Sequence, residues 1–254
     1  MADRPARVRN DPAQYDDLTD QWWKPAGGLA MLHWLAASRA QHVPPAPGPG
    51  AVLVDLACGG GLMAPHVARL GYRHVGVDLG AAGLALARAH GVAAVRGSVL
   101  DVPLADGCAD VVIAGEILEH VADDGRVLAE CARLLKPGGT LVVDAIAATR
   151  LANLLAVRIG ERLPGGPPPG IHDPALFVDR AALAATADRV GLDLRLIGLR
   201  PSLADLLAWR RGRRPGVRMR PMRYTGVLFA GYGRKRPVGP WISEPPAAHV
   251  PSSA

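Results

Sequence analysis

The chain has 254 residues, of which 49% are hydrophobic and 20% charged, which suits one α/β domain with a full core and excludes a disordered chain. No apolar run reaches the roughly 18 to 20 residues of a membrane-spanning helix, and the first twenty residues are too polar for a signal peptide. The formal net charge is +6, and three cysteines show neither a disulfide framework nor metal-ligand spacing, so we expect a cytoplasmic protein.

The chain before residue 50 predicts a disordered start and a helical lid. Residues 1–14 are expected to be disordered. Residues 15–42 contain helix-like segments with an apolar face that includes Trp22 and Trp34, which is a natural lid over a cofactor. A linker rich in Pro and Gly at 43–50 leads into the first strand.

From residue 51, strands alternate with helices. This alternation predicts an α/β fold, a Rossmann-like and mostly parallel sheet with helices on both faces. The predicted strands cover 51–57, 74–78, 92–96, 109–115, 140–146, 192–199 and 224–232. The predicted helices cover 62–70, 81–90, 122–136, 179–190 and 202–211. We expect a single domain over 15–236, interrupted by an insertion at 147–178, and a flexible tail at 237–254.

A glycine-rich turn after the first strand predicts a nucleotide-binding site. Residues 52–61 read Val-Leu-Val-Asp-Leu-Ala-Cys-Gly-Gly-Gly, and the next strand ends in Asp78. Glycines permit positive φ and close approach to a ligand, and the Asp78 carboxylate can accept hydrogen bonds from ribose hydroxyls. Asp55 would repel a pyrophosphate but suits a sulfonium. An ordinary glycine-rich turn without a ligand is the alternative.

Three potential metal ligands follow the strand at 109–115. If a helical turn begins there, the i, i+3, i+4 spacing brings Glu116, Glu119 and His120 to one side. Two carboxylates and an imidazole can bind a divalent cation and leave positions open for water. The alternative is a helix start whose acids favour the helix dipole.

Much of the excess positive charge lies in one arginine-rich segment. Its members are Arg210, Arg211, Arg213, Arg214, Arg218, Arg220 and Arg223. Such a cluster can meet nucleic acid, anionic lipid or an acidic substrate. No aromatic residues separate the first arginines. We therefore expect a solvated basic loop and no nucleic-acid partner.

Several segments between residues 15 and 235 together resemble one enzyme family. They are Trp22-Trp-Lys-Pro-Ala-Gly27, Leu32-His33 through Arg39, Asp55–Gly61, Val77–Gly80, Glu116-Ile-Leu-Glu-His-Val121, Leu135-Lys-Pro-Gly-Gly139, and His172-Asp173 with Phe177. In these motifs the chain resembles the quinone-biosynthesis O-methyltransferases that act on polyprenyl-dihydroxybenzoate and demethylubiquinol. These are class I S-adenosylmethionine (SAM) dependent methyltransferases, and the resemblance implies their sheet, with an antiparallel final strand.

The resemblance also implies roles for particular residues. With the glycine-rich turn it gives a cofactor-binding set of Arg39, Asp55, Ala57, Gly59, Gly61, Asp78, Leu79 and Gly115. It implies metal ligands at Glu116, Glu119 and His120, and magnesium suits the carboxylates best. His172 is a candidate base or substrate contact, or else a structural cap with Asp173. The insertion at 147–178 touches lipid in that family, which implies peripheral membrane contact.

The predicted reaction is metal-assisted methyl transfer from SAM to a phenolic oxygen. A phenol has a pKa near 10 and needs activation, and a cation stabilises the phenolate. The expected acceptor is a small aromatic molecule, a catechol or hydroxyquinone of the bacterial quinone or naphthoquinone type. Two alternatives stay open. One is a C- or N-methyltransferase of a hydroxynaphthalene, and the other is a non-catalytic RNA-binding module. The oligomeric state is not predicted.

Overall fold

One twisted sheet of eight strands organises the protein. The computed structural model describes residues 7–163 and 166–237. Its strands are β1 (Val52–Leu56), β2 (Arg73–Asp78), β3 (Ala93–Arg96), β4 (Ala109–Gly115), β5 (Leu135–Ile146), β6 (Leu192–Pro201), β7 (Met219–Met222) and β8 (Leu228–Lys235). They lie side by side in the order β3-β2-β1-β4-β5-β8-β6-β7.

The sheet is parallel in its first half and mixed in its second. Strands β3, β2, β1, β4 and β5 pair in parallel, whereas β8 runs antiparallel to β5 and to β6. The predicted Rossmann-like fold with an antiparallel final strand is therefore confirmed. One strand was missed, because β7 lies in the segment predicted to be a basic loop. It contains Pro221 and pairs only with β6, at an edge where a missing N–H is tolerated.

Seven α-helices connect and cover these strands among the described residues. They are α1 (Ala30–Arg39), α2 (Ala64–Val67), α3 (Ala81–Ala89), α4 (Asp124–Leu134), α5 (Arg150–Ala152), α6 (Arg180–Arg189) and α7 (Leu203–Arg210). A π-helix, Asn153–Ile159, continues α5. Helix α2 is shorter than the predicted 62–70, because turns precede it and the chain leaves it towards Gly71 at φ 88°.

Alternating side chains of the central strands pack against two different layers. Val54 and Leu56 belong to the apolar cluster that also contains Leu128 of α4 and Leu183 of α6. Leu53 belongs to the cluster on the other face, which contains residues from 15–42. Successive residues of a strand point to opposite faces. Asp55 in β1 and Asp144 in β5 consequently lie on the face covered by the N-terminal layer.

The N-terminal segment differs from the expectation that residues 1–14 are disordered. Residues 12–14 form a 3-10 helix, and Arg9 makes a two-pronged ion pair with the buried carboxylate of Glu161. These contacts span more than a hundred residues of sequence, so the local sequence gave no sign of them. Residues 1–6 and 238–254 of the predicted flexible ends lie outside the described residues. Within the described part, every helix is too short or too polar to cross a membrane.

Candidate active site at the carboxyl edge of the sheet

A cavity of about 340 Å³ opens where β1, β2 and β4 end. This is the edge at which open α/β sheets bind ligands. All of the predicted cofactor residues except Gly61 line it: Arg39, Asp55, Ala57, Gly59, Asp78, Leu79 and Gly115. Gly61 has φ 79°, and a Cβ there would lie 2.9 Å from the Cα of Ala87. Gly61 therefore permits the turn to pack against α3 rather than forming the wall.

The glycine-rich turn is held to the end of β2 by Asp78. One carboxylate oxygen accepts the N–H of Gly59 at 2.9 Å and the other accepts the N–H of Gly80 at 2.7 Å. Burial raises the pKa of Asp78, while these amide hydrogen bonds act in the opposite direction. Ala57 has φ 53°, in the left-handed region that favours glycine. The turn thus keeps the conformation of a glycine turn at the cost of strain at Ala57.

The segment expected to be a lid lies directly on this turn. The Trp22 ring covers Gly59 so closely that a Cβ there would lie 2.2 Å from Trp22 Cη2. Trp23 Nε1 donates to the carbonyl oxygen of Gly60 at 3.0 Å. Tyr15 also lines the cavity. Trp22 and Trp23 therefore fix the N-terminal layer to the glycine-rich turn.

A buried ion pair joins Arg39, which lines the cavity, to Asp144 of β5. Arg39 Nε donates to Asp144 Oδ2 at 2.8 Å, and the other Asp144 oxygen accepts the N–H of Glu116 at 2.9 Å. A Cβ on Gly115 would lie 2.1 Å from Arg39 Cζ. The glycine at this position thus makes room for the Arg39 guanidinium.

The predicted metal ligands lie at this edge but are not assembled as predicted. Glu116 has φ 51°, so it belongs to no helical turn, and the following 3-10 helix begins only at Leu118. The i, i+3, i+4 argument fails for this reason. Throughout residues 7–163 and 166–237, no three carboxylate, imidazole or thiol side chains form a group that could hold a cation.

Within the described chain, two of the predicted ligands nevertheless have a buried carboxylate oxygen without a partner. Glu116 Oε1 and Glu119 Oε2 are buried and have no hydrogen-bond partner among the described residues, while Glu119 Oε1 accepts the N–H of Ile146. Burial and mutual repulsion raise the pKa of Glu116, and burial raises that of Glu119 to about 8. Both partnerless oxygens are hard donors of the kind that magnesium prefers.

His120 and His172 stack with ring centroids 5.3 Å apart. Burial lowers the pKa of His120 to about 3 and that of His172 to about 4, so both imidazoles are neutral at pH 7. His172 Nδ1 has no hydrogen-bond partner in the described chain. Among the described residues the cavity wall includes His120 but not His172. Asp173 caps the 3-10 helix Pro174–Leu176 by accepting the N–H of Ala175, and the His172 side chain takes no part in this cap.

Comparison with known proteins assigns the chain to a family. A family described as "Methyltransferase domain" matches residues 54–143. A ubiquinone biosynthesis O-methyltransferase of Ralstonia nicotianae is 35% identical over 194 residues, which are 72% of this chain and 82% of that protein. A protein of the same name from Thiobacillus denitrificans is 34% identical over 189 residues, 71% of this chain and 82% of its own. The chain belongs to the family of ubiquinone biosynthesis O-methyltransferases.

This membership makes the protein a SAM-dependent methyltransferase and confirms the resemblance seen in the sequence. Solved structures agree on the fold. A SAM-dependent methyltransferase of Thermotoga maritima superimposes with a TM-score of 0.59 at 18% identity, over 88% of this chain and 97% of its own. A TehB-like SAM-dependent methyltransferase of Corynebacterium glutamicum gives 0.57 at 18% identity, over 89% and 100%.

Sequence reasoning missed several residues of this methyltransferase site. Asn10 lies in the segment that was expected to be disordered, yet it lines the cavity and its side chain contacts His120. Tyr15 is the first residue of the expected lid, but its contact with His120 was not predicted. Residues 98–100 line it after β3, a position that the strand order could have indicated. Asp144 could have been found as an acid within an otherwise apolar strand.

Proposed function

We propose that this methyltransferase transfers a methyl group to a phenolic oxygen of a catechol or hydroxyquinone, a small aromatic molecule of the quinone or naphthoquinone type. The names of its relatives support the oxygen as acceptor atom. The cavity wall supports an aromatic ligand, since much of it is apolar and includes Leu32, Val99 and Val121. When bound, SAM supplies an electrophilic methyl group on its sulfonium for in-line displacement by the acceptor oxygen.

The residues of the chain divide into two groups in this proposal. Asp78 accepts hydrogen bonds from the ribose hydroxyls of SAM, and the Arg39 guanidinium, of which only Nε is bonded to Asp144, offers its remaining N–H groups to the cofactor carboxylate. Trp22 covers the glycine-rich turn and Tyr15 lines the cavity, and together they exclude water from the reacting atoms. The second group, at Glu116, Glu119 and His120, faces the acceptor.

The observation that carries the proposal is the pair of partnerless buried oxygens, Glu116 Oε1 and Glu119 Oε2, of which Glu116 belongs to the cavity wall. A buried carboxylate oxygen without a partner is costly, and a divalent cation relieves that cost. We infer that these two carboxylates, with His120, hold such a cation, most readily magnesium. When bound, it lowers the pKa of the acceptor phenol and fixes its oxygen. The side chains must come closer together than they are in this structure.

Metal removal and one isosteric variant test this proposal. Glu119→Gln retains an acceptor for the Ile146 N–H but removes the charge. Chelation and Glu119→Gln should each abolish methyl transfer while calorimetric SAM affinity stays unchanged, because the cation contacts the acceptor and not SAM. Added magnesium should restore the chelated enzyme but not the variant. Full activity of metal-free enzyme on its acceptor would refute the metal role.

His172 is proposed as a second contact for the acceptor or its proton. Its unpartnered Nδ1 and its stacking on His120 support this role. His172→Gln should lower kcat without changing SAM affinity. An unchanged kcat would assign His172 to packing alone.

We also propose that the insertion at 147–178, whose residues 164 and 165 lie outside the described residues, contacts an anionic membrane surface. Leu151, Leu154, Leu155 and Ile159 are each more than 40% exposed. Arg158 and Arg162 are exposed beside them and complement an anionic surface. Leu154→Ser with Leu155→Ser should prevent flotation with vesicles that contain phosphatidylglycerol. The matched variant Leu207→Ser on α7 should still float with these vesicles, although Leu207 is 54% exposed. Equal losses would refute the assignment to the insertion.

A further inference from the structure

The side-chain amide of Asn10 makes two hydrogen bonds to the same residue, His120. Its Nδ2 donates to the backbone carbonyl oxygen of His120 at 2.9 Å, and its Oδ1 lies 2.5 Å from His120 Nδ1. A carbonyl oxygen can only accept, so the first contact fixes which end of the amide faces the ring. Oδ1 therefore faces Nδ1, and an amide oxygen carries no hydrogen.

This arrangement determines the tautomer of the imidazole. Nδ1 must carry the hydrogen, because two lone pairs would otherwise face each other at 2.5 Å. In a neutral ring, Nε2 is then unprotonated and has its lone pair available. The hydroxyl of Tyr15 lies 3.3 Å from Nε2 and donates to it, as this tautomer requires. His120 and Tyr15 both line the cavity.

The backbone holds Asn10 in place for this contact. Its φ is 61°, a left-handed conformation that Asn adopts more readily than other residues with a side chain. Its N–H donates to the carbonyl oxygen of Gly170. The neighbouring Arg9 pairs with Glu161 and donates to the carbonyl oxygen of His172. The N-terminal segment is thus anchored to the insertion by Arg9 and by the backbone of Asn10 itself.

We propose that Asn10 is a positioning residue that locks His120 in the Nδ1–H tautomer, so that its Nε2 lone pair is presented to the acceptor site. Tyr15 supplies a phenolic hydroxyl at that lone pair, the same chemical group as the phenolic acceptor. An acceptor or a cation at Nε2 replaces the Tyr15 hydroxyl there. The tautomer follows from the contacts alone, whereas its consequence for methyl transfer rests on the proposed function.

Three variants separate the tautomer from simple anchoring of the segment. Asn10→Gly removes the side chain and accepts the left-handed backbone without strain. Asn10→Asp retains an acceptor for Nδ1–H. Gln14→Ala removes the side chain that donates to the carbonyl oxygens of Val8 and Gly170, and that side chain makes no contact with His120 among the hydrogen bonds of the described residues. The last variant is the control for loosening of the N-terminal segment.

Two-bond ¹H–¹⁵N correlation spectra of the full-length protein labelled at histidine read the tautomer directly. The spectrum of His120→Gln identifies the His120 signals by their absence. Wild type, Asn10→Asp and Gln14→Ala should show the hydrogen on Nδ1, and Asn10→Gly should shift it to Nε2. An Nδ1–H pattern that persists in Asn10→Gly, or an Nε2–H pattern in wild type, overturns the inference.

Kinetics with 3,4-dihydroxybenzaldehyde, a simple catechol, test the consequence. In Asn10→Gly, kcat should fall roughly 10- to 100-fold, the usual cost of losing the hydrogen bond that orients such a histidine, with SAM affinity unchanged. Asn10→Asp should recover most of kcat, and Gln14→Ala should stay near wild type. A loss in Gln14→Ala equal to that in Asn10→Gly would reduce Asn10 to an anchor. A wild type that methylates no catechol counts against the proposed function, and the spectra alone then decide the tautomer.

Discussion

Asp78→Ala should separate the cofactor site from the rest of the molecule. The Asp78 carboxylate has about four lone-pair directions, and the amides of Gly59 and Gly80 take two of them. The other two remain for the ribose hydroxyls. Each charge-assisted hydrogen bond contributes roughly 1.5 to 3 kcal/mol, so losing both should cost about 3 to 6 kcal/mol of SAM binding, or about 10²- to 10⁴-fold in Kd.

Isothermal titration calorimetry with SAM measures this loss, and a control variant accounts for damage to the fold. Asp110 also accepts a backbone N–H, that of Val52 at 2.8 Å, but it lies near the start of β4, beside the first residue of β1, and is not among the described residues that line the cavity. Asp110→Ala should lower the free energy of unfolding without weakening the binding of SAM. The role of Asp78 in SAM binding is refuted if Asp78→Ala binds SAM as tightly as wild type does. It is also refuted if Asp110→Ala raises the Kd for SAM by the same factor.

Three further predictions concern strain, charge and the lid. Ala57→Gly should raise the unfolding free energy by about 0.5 to 1 kcal/mol in urea titrations, because it relieves left-handed strain of roughly 1 to 2 kcal/mol but adds freedom to the unfolded chain; a lower midpoint would contradict this. Hydrogen bonds from Arg218, together with the charge of Arg214, lower the pKa of Asp205 from 3.8 to about 2. Its stabilisation should therefore be present above about pH 4 and be lost as the pH falls through about 2. The difference in urea midpoint between wild type and Asp205→Asn should shrink between pH 5 and pH 2, and a constant difference would refute the pairing. Amides in 15–39 should gain hydrogen-exchange protection when SAM binds; protection confined to 51–120 would make that segment packing only.

The sequence was most informative where local pattern and chemistry coincide. The apolar strands and the acid after β2 predicted the sheet and the carboxyl edge at which the cavity lies, because strand order brings these turns together. The predicted cofactor-binding set came from the family resemblance together with the glycine-rich turn, and seven of its eight residues line the cavity. The arrangement of the acidic cluster was not predictable in this way. A left-handed Glu116 breaks the expected helical spacing, and no propensity rule signals it in advance.

Contacts distant in sequence were the other limit. Asn10 meets His120 across 110 residues, and the preceding segment, being short and polar, reads locally as a disordered end. The arginine-rich segment also makes contacts that its local sequence does not indicate. Arg214 and Arg218 are fixed by the covered carboxylate of Asp205, and part of the segment forms β7. Composition alone could not distinguish these structural arginines from free ones.

The most direct test of the proposed reaction is methyl transfer with SAM deuterated in its methyl group, in the presence of magnesium, followed by mass spectrometry and NMR of the products from a panel of catechols and hydroxyquinones. A labelled methyl ether on one of two adjacent oxygens, formed only when magnesium is present, is the predicted result. A label on carbon or nitrogen, or the same ether in equal yield from metal-free enzyme, would contradict a metal-assisted O-methyltransferase.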